Sequence, residues 1–385
     1  MPDGSLGNPG YRNGFRHAET GDAVPGLRRG RGAVSNPPNR FVRSARNPFD
    51  DGWGTLEQAF AELPPLATEL TPDKAKTALT WNDSPDVGFD RSVNPYRGCE
   101  HGCIYCYARP SHAYIGLSPG LDFETRLQFK PDVAALLEKD LSKKGYVARP
   151  IALGSNTDPY QPVERTLSLT RAVLEVLDRH DHPVTIVTKS AGVTRDLDIL
   201  SRMAERNLVQ VCLSVTTLDP RLARMMEPRA AAPLRRLAAI QELSRAGIPT
   251  GVMAAPMIPG INDAEMERIL EAGHAHGARA AGYVLLRLPL EIRRMFEEWL
   301  ATHMPDRAAR VLALVRETRG GKLNDMQFGT RFTGTGPYAD MLSKRFGAAM
   351  RRLGLDDAEV SERGKLDCSR FRAPSAGEER QLALL

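Results

Sequence analysis

Between residues 130 and 290 the chain repeats one pattern: a short apolar run, a polar turn, then a stretch of helical period. Asp132 to Ser142 puts Val133, Leu136, Leu137 and Leu141 on one helical face. After it come "PIALGSNTDP", a helix at about Leu167 to Arg179, strand "PVTIVTKS", a helix at about Arg195 to Glu205, and strand "LVQVCLSVTT". A helix ending near Gly247, strand "IPTGVMAAPMIPG", a helix stopped near Gly277 and strand "RAAGYVLLRLP" complete the series. Strands buried on both faces and separated by helices predict a parallel sheet of right-handed crossovers. With one more strand just before the first cysteines, six units run from about Gly88 to Pro289, short of a closed eight-fold barrel. The expected fold is therefore α/β, a partial (β/α)6 TIM-like barrel.

Each strand begins apolar and ends polar or in a turn: Ser155 to Asp158, Thr188 to Ser190, Ser214 to Thr217, Pro259 to Asp263, and Arg287. In α/β sheets and barrels the carboxyl ends of the strands carry the active site, so the recurrence predicts one shared functional rim.

Around this core the chain divides by texture. Residues 1 to 80 are expected to be a largely disordered Arg/Gly/Pro-rich extension, 81 to 290 the barrel, 291 to 355 a helical region that covers an open side, and 356 to 385 a loose tail. The formal net charge of +5 is concentrated in the first 50 residues, which hold eight Arg, no Lys and four acidic residues. That arm reads as a solvated tail first and a nucleic-acid contact second. No apolar run reaches bilayer length and no signal-peptide pattern opens the chain, so it reads as soluble and cytoplasmic.

Three of five cysteines, Cys99, Cys103 and Cys106, fall within "CEHGCIYC". Clustered thiols in a reducing compartment point to metal or redox chemistry rather than disulfides. A structural zinc site wants four closed ligands, and no second cysteine pair exists; His101 or His112 would have to complete it. Cys212 lies in an apolar strand and reads as a buried small hydrophobe, and Cys368 as incidental. Three thiolates on a [4Fe-4S] cube, by contrast, leave one iron open to chemistry.

The CxxxCxxC spacing, with aromatic Tyr105 directly before the third cysteine and a βα repeat downstream, resembles the radical S-adenosylmethionine superfamily. The resemblance implies a [4Fe-4S] cluster on Cys99, Cys103 and Cys106, S-adenosylmethionine on the open iron, and a 5'-deoxyadenosyl radical that abstracts hydrogen. It also implies an electron donor of flavodoxin or ferredoxin type. "CIYCYARP", "SNTDP", "TKS" and "LSVTT" narrow the likeness, over roughly Asn94 to Asn262, to the spore photoproduct lyase branch, often described as DNA repair photolyases. By that likeness Thr157 and Lys189 would hold the methionyl end of the cofactor and Ser214 would face its ribose. Tyr105 and Tyr107 would match hydrogen-relaying tyrosines, and Asn156 and Asp158 would bond the amino group in place of a glycine-rich stretch, here "DPYQPVE" with Glu164. Ser155 stands where the lyase has its hydrogen-donating cysteine, and a serine O–H bond is too strong for that task. The expected substrate is a nucleic acid or another large molecule. The competing reading is a zinc-containing nucleic-acid-binding protein without radical chemistry. Glu227 and Arg229, in the loop "MMEPRAAAP" after the Ser214 strand, read either as reaching the ribose or substrate or as a surface ion pair.

If the arm contacts phosphates, nucleic-acid affinity should fall steeply with salt. Deleting residues 1 to 50 should then lower the log-log slope by roughly two to four units. Equal slopes in binding titrations of intact and shortened protein would make the arm a solvated tail.

Overall fold

The computed structural model describes residues 30–41, 66–356 and 365–374. Ten strands are described: β1 (Glu69–Pro72), β2 (Leu79–Trp81), β3 (Arg91–Val93), β4 (Tyr96–Arg97), β5 (Arg126–Phe129), β6 (Ile151–Leu153), β7 (Val184–Thr188), β8 (Val209–Ser214), β9 (Thr250–Met257) and β10 (Ala280–Leu285). Seven of them make one sheet in the order β10-β9-β8-β7-β6-β3-β2. From β3 to β10 every pairing is parallel, as the alternation of strand and helix predicts, and β2 closes the near edge antiparallel to β3. The expected six parallel strands are present in sequential order. The small sheet β1-β5-β4, beside the cysteine segment, has too few alternating residues to be read from sequence.

One face of the large sheet is dry. Ile186, Val211, Leu213, Val252 and Ala254 bury against Leu137, Leu174, Leu177, Leu200, Met203, Ile240, Leu243, Ile269 and Leu270. These come from helices Val133–Leu141, Leu169–Arg179, Leu197–Glu205, Pro233–Arg245 and Met266–Ala275. The alternate residues Thr185, Val187, Gln210, Cys212 and Met253 are at least partly exposed, so the second face is left open. Val187, in mid-strand, is 39% exposed. Cys212 is accordingly not a fully buried hydrophobe: it is half-buried on the open face, in register with Gly251. Helices Ile292–His303, Pro305–Glu317 and Pro337–Leu353 follow the last strand, and the first two join residues of the cysteine loop and strand ends in a second core around Phe296, Trp299 and Leu300.

Three described stretches depart from the expected loose ends. Residues 66–80, expected in the disordered extension, carry β1 and the first residues of β2. Residues 30–41 were expected in a disordered arm but lie against the cysteine segment. Arg31 donates to the carbonyls of Glu124 and Leu66, Asn39 to those of Ala113 and Leu117, and Arg40 pairs with Glu291. Backbone donors of Gly32 and Ala33 reach the two carboxylate oxygens of Glu124 at 2.9 and 2.8 Å. Side-chain and backbone pairing, rather than apolar periodicity, orders this stretch, which is why hydropathy misses it. The other six Arg of the first 50 residues lie outside the described residues. Residues 365–374, expected in a loose tail, are stapled by Arg372 to Asp181 and by Phe371, which packs edge-on against Tyr146 and His182.

Glu124 is the hub of the N-terminal clasp. Its carboxylate also takes Arg109, and both side chains are fully buried. Arg109 spends its remaining donors on the carbonyls of Cys103, Pro119 and Gly120. Removing one partner of a buried, hydrogen-bonded pair strands the other charge, at a cost of about 3–5 kcal/mol. Arg109→Met should therefore lose about that much stability in urea titrations; a loss below about 1 kcal/mol would show that the pair is not the anchor of the clasp.

Candidate active site

The cysteine segment leaves the sheet at β3 and is pinned from several sides. Cys99 N–H donates to the Phe123 carbonyl at 2.9 Å and Ile104 N–H to that of Met226 at 3.1 Å. Gln161 clamps the start of the loop, accepting from Glu100 N–H at 2.8 Å and donating to the Gly98 carbonyl at 3.2 Å. Gly102 has φ of 68°, and a Cβ there would meet the Glu124 carboxylate, so the turn requires glycine. Cys99 and Cys103 are buried and Cys106 half-buried. Burial raises all three thiols, and on Cys99 the charges of Asp158, Cys103 and Cys106 raise it further. A bound cation would reverse this, because metal ligation favours the thiolate.

The donor set fits three separate irons better than one zinc ion. Among the described residues no three His, Cys, Asp or Glu side chains converge as ligands of a single ion. A cube with one iron behind each thiol needs no such convergence. Each candidate fourth ligand has one ring nitrogen engaged, while His112 Nδ1 is buried without a hydrogen-bond partner among the described residues. His101 Nδ1 lies 3.3 Å from Asp158, and His112 Nε2 lies 2.9 Å from the Arg126 carbonyl. Burial lowers His112 to about 4.

The loop after β6 is shaped by Asn94, which the sequence reading passed over. Its side-chain oxygen accepts from the N–H groups of Asn156 at 3.1 Å and Thr157 at 3.4 Å, and its amide donates to Ser155 Oγ at 3.2 Å. Thr157 is buried and its hydroxyl donates to the Tyr96 carbonyl at 3.3 Å. Asp158 accepts from Thr188 Oγ1 and Lys189 N–H, each at 2.7 Å, and from Tyr160 N–H at 2.9 Å. Burial pushes its carboxyl up, but the neighbouring His101 and these donors outweigh burial and hold it at about 2. Asp158 thus joins the ends of β6 and β7 to the cysteine loop. Glu164 is likewise engaged internally, accepting from the Tyr96 hydroxyl and from Thr170 N–H.

At the end of β8 a second buried network forms. Glu227 accepts from Arg236, Thr216 and the hydroxyl of Tyr105, all out of water. Burial pushes the Glu227 carboxyl up, yet Arg236 and Lys189 bring it down to about 2. Glu227 is therefore no surface residue, and Arg229 pairs instead with Glu100 at 3.0 Å. The hydrogen bond to Glu227 pins the ring of Tyr105, and Lys189 Nζ sits 5.8 Å from its centroid. Among the described residues no carboxylate forms an ion pair with Lys189. Ser214 is buried at the same strand end, its carbonyl accepting from Arg236 at 2.9 Å. Tyr107 differs from Tyr105: it is 52% exposed and its hydroxyl donates to the Ser155 carbonyl.

Ser155 to Asp158, Lys189 and Ser214 lie at the carboxyl ends of β6, β7 and β8, and Tyr105 and Tyr107 of the cysteine loop reach Thr216 and the Ser155 carbonyl there. Among these, Thr157 and Asp158 face protein partners, while Lys189 keeps an unpaired charge. Asn94 and Gln161 had no local signal, since each acts on residues about 60 positions away, and Arg236 reaches Glu227 only across the turn between two helices.

Comparison with known proteins agrees with this geometry. The family model described as the radical SAM superfamily matches residues 93–273. An uncharacterized protein of Mycobacterium tuberculosis is 36% identical over 299 residues, covering 76% of this chain and 80% of that protein. One of Methanocaldococcus jannaschii is 27% identical over 197 residues, covering 51% and 71%. Among solved structures, a point mutant of spore photoproduct lyase superposes with a TM-score of 0.55 at 16% identity, covering 74% of this chain and 79% of that one. A second lyase mutant, solved with dinucleoside spore photoproduct, gives a TM-score of 0.52 at 17% identity over 74% and 78%.

The Glu227 network makes a prediction about acid stability. A carboxyl held at about 2, against an ordinary 4.5, stabilises the fold above pH 4.5, and that stabilisation is lost as pH falls toward 2. Glu227→Gln should be less stable than wild type at pH 7, with the gap closing between pH 4.5 and 2. A gap that stays constant with pH would show that the carboxylate charge is not what holds Arg236.

Proposed function

Because the chain belongs to the radical SAM superfamily and is an enzyme of that class, we propose that its cysteine loop carries a [4Fe-4S] cluster and that S-adenosylmethionine binds beside it. Bound together, cluster and cofactor supply a 5'-deoxyadenosyl radical that abstracts hydrogen from substrate. The observation that carries this reading is the cysteine loop itself: three thiols, two buried and one half-buried, on one turn at the carboxyl ends of a parallel sheet. The parallel sheet with one open face is read as an open-sided (β/α)6 barrel, whose uncovered strands form the reaction chamber.

In this reading Cys99, Cys103 and Cys106 each ligate one iron. Lys189 neutralises the cofactor carboxylate, since its ammonium has no carboxylate partner of its own. Asn156 offers its side chain to the amino group, and Asp158 keeps the loop after β6 in register with the cysteine turn. Ser214 faces the ribose. Tyr105, locked by Glu227, forms a fixed wall beside the cofactor, while Tyr107 presents a half-exposed ring to the substrate and is the better-placed of the two to relay hydrogen. Ser155, bonded to Asn94, is not a hydrogen donor. The net reaction therefore differs from a lyase reaction that needs a thiol at that position.

The substrate is proposed to be a nucleic acid or another large molecule, which the open sheet face can admit and which the solved lyase likeness favours. The reductant is proposed to be a flavodoxin- or ferredoxin-type protein. The reaction is placed in the cytoplasm, where thiols remain reduced. Among the described residues no helix is long and apolar enough to cross a membrane.

Anaerobically purified protein should be brown, with iron and acid-labile sulfide in near-equal amounts. Colourless protein carrying one zinc would overturn the proposal. Alanine at any of Cys99, Cys103 or Cys106 should abolish cluster assembly, whereas Cys212→Ala and Cys368→Ala should retain iron. Lys189→Ala should keep the cluster but weaken S-adenosylmethionine binding roughly tenfold to a hundredfold, the worth of one charge-assisted hydrogen bond. Unchanged cofactor affinity in equilibrium dialysis would remove Lys189 from the site.

A further inference from the structure

Arg287 follows β10, the far edge of the parallel sheet, and its guanidinium is only half exposed. Its Nε is buried without a hydrogen-bond partner, and among the described residues no acidic side chain lies within ion-pair distance. Its recorded contact is the ring of Phe332, whose centroid lies 5.0 Å from its Cζ. Two further arginines crowd the same place. Arg331 stacks on that ring at 4.8 Å and also on Phe328 at 4.8 Å. Arg319 is buried and donates to the carbonyls of Leu285 and Leu286, directly before Arg287. Only Arg331 has a carboxylate to itself, that of Asp86.

A partly desolvated cation without a counter-ion is costly, and two more cations beside it add to the cost. Burial and the charge of Arg331 both lower Arg287, and burial and Arg287 lower Arg319 to about 10. Asp86, which pairs with Arg331, and Asp325 offset part of this, so three guanidiniums share the field of two carboxylates and the site keeps an excess of positive charge. It lies at the strand-end rim, within electrostatic reach of the Tyr107 phenol. Phe328 beside it is 53% exposed, which leaves an aromatic face for a planar group.

We propose that Arg287, backed by Arg319 and Arg331, is a phosphate-binding subsite that holds a nucleotide-bearing substrate at the mouth of the chamber, with the open face of Phe328 beside its base. The planar guanidinium suits a phosphate because it donates two parallel hydrogen bonds, and a ring stacked behind it fixes its orientation. This rests on the proposed radical chemistry only for which molecule is positioned; the subsite itself is independent of the cluster.

The test is fluorescence anisotropy of a labelled, mixed-sequence single-stranded ten-nucleotide DNA with anaerobically reconstituted protein. Wild type, Arg287→Gln and Arg287→Lys are compared at several salt concentrations. Arg287→Gln should weaken binding roughly tenfold or more and reduce the log-log salt slope by about 0.7, one phosphate's share on a single strand. Arg287→Lys should keep the slope and lose part of the affinity, because it retains the charge but not the fork. Equal affinity and slope in wild type and Arg287→Gln would overturn the subsite.

Competition identifies the source of the phosphate. Displacement by deoxycytidine 5'-monophosphate, but not deoxycytidine, supports a terminal monoester. Displacement only by unlabelled ten-nucleotide supports a backbone diester. Equal displacement by nucleoside and nucleotide would overturn phosphate recognition. Iron and sulfide measured on the same preparations separate the two ideas: a protein without a cluster would sink the radical proposal while leaving the phosphate result intact.

Discussion

The buried pair between Arg109 and Glu124 is the constraint on which the cysteine loop depends. Two charges taken out of water hold each other only when every remaining donor and acceptor is also used, and here they are. Arg109 reaches three carbonyls around the loop, and Glu124 takes two backbone N–H groups from the N-terminal strap. The close approach of Gly32 to Gly102, where a Cβ on Gly32 would overlap the Gly102 carbonyl, locks strap to loop. The loop buries Cys103, Ile104 and Tyr105 in the second core, and ionic and backbone pairing fixes the turns on either side of them.

The same economy appears at the strand ends. Asp158 and Glu227 are buried carboxylates at the strand ends, and each ties a strand-end loop to the cysteine segment, Asp158 through His101 and Glu227 through Tyr105. Held at about 2, both remain charged across the ordinary pH range and keep His101, Tyr105 and Arg236 in place. Among the described residues, the side chains of Lys189, Asn156, Ser214, Tyr107 and Arg287 make no hydrogen bond to either carboxylate. They lie on the loops after β6, β7, β8 and β10 and on the cysteine turn, so the rim is assembled from distant parts of the chain around one open sheet face.

How much of this was legible depended on the range of the signal. Strands β6 to β10 and the helices between them follow from local hydropathy, and their limits agree with the sequence reading to within a few residues. Helix Leu169–Arg179, expected from about Leu167, is one example. The cysteine spacing was equally plain. The surface ion pair of Glu227 with Arg229, one of two readings of that loop, does not form because Glu227 takes Arg236 on the next helix, and only the turn between them buries both. Residues 30–41 looked featureless because their order comes from Glu124, about 90 positions onward.

The sequence by itself therefore determined the parallel sheet, the placement of polar groups at its carboxyl edge and the three-thiol donor set, since periodicity and ligand chemistry act over a few residues. Only the tertiary structure decided which polar groups are free. Thr157 and Asp158 are consumed by the scaffold, Lys189 and Arg287 are not, and the difference lies in whether folding brings a counter-charge or carbonyl within hydrogen-bond reach. Pairing of this kind falls off within a few ångströms and connects residues tens of positions apart. No linear pattern records it.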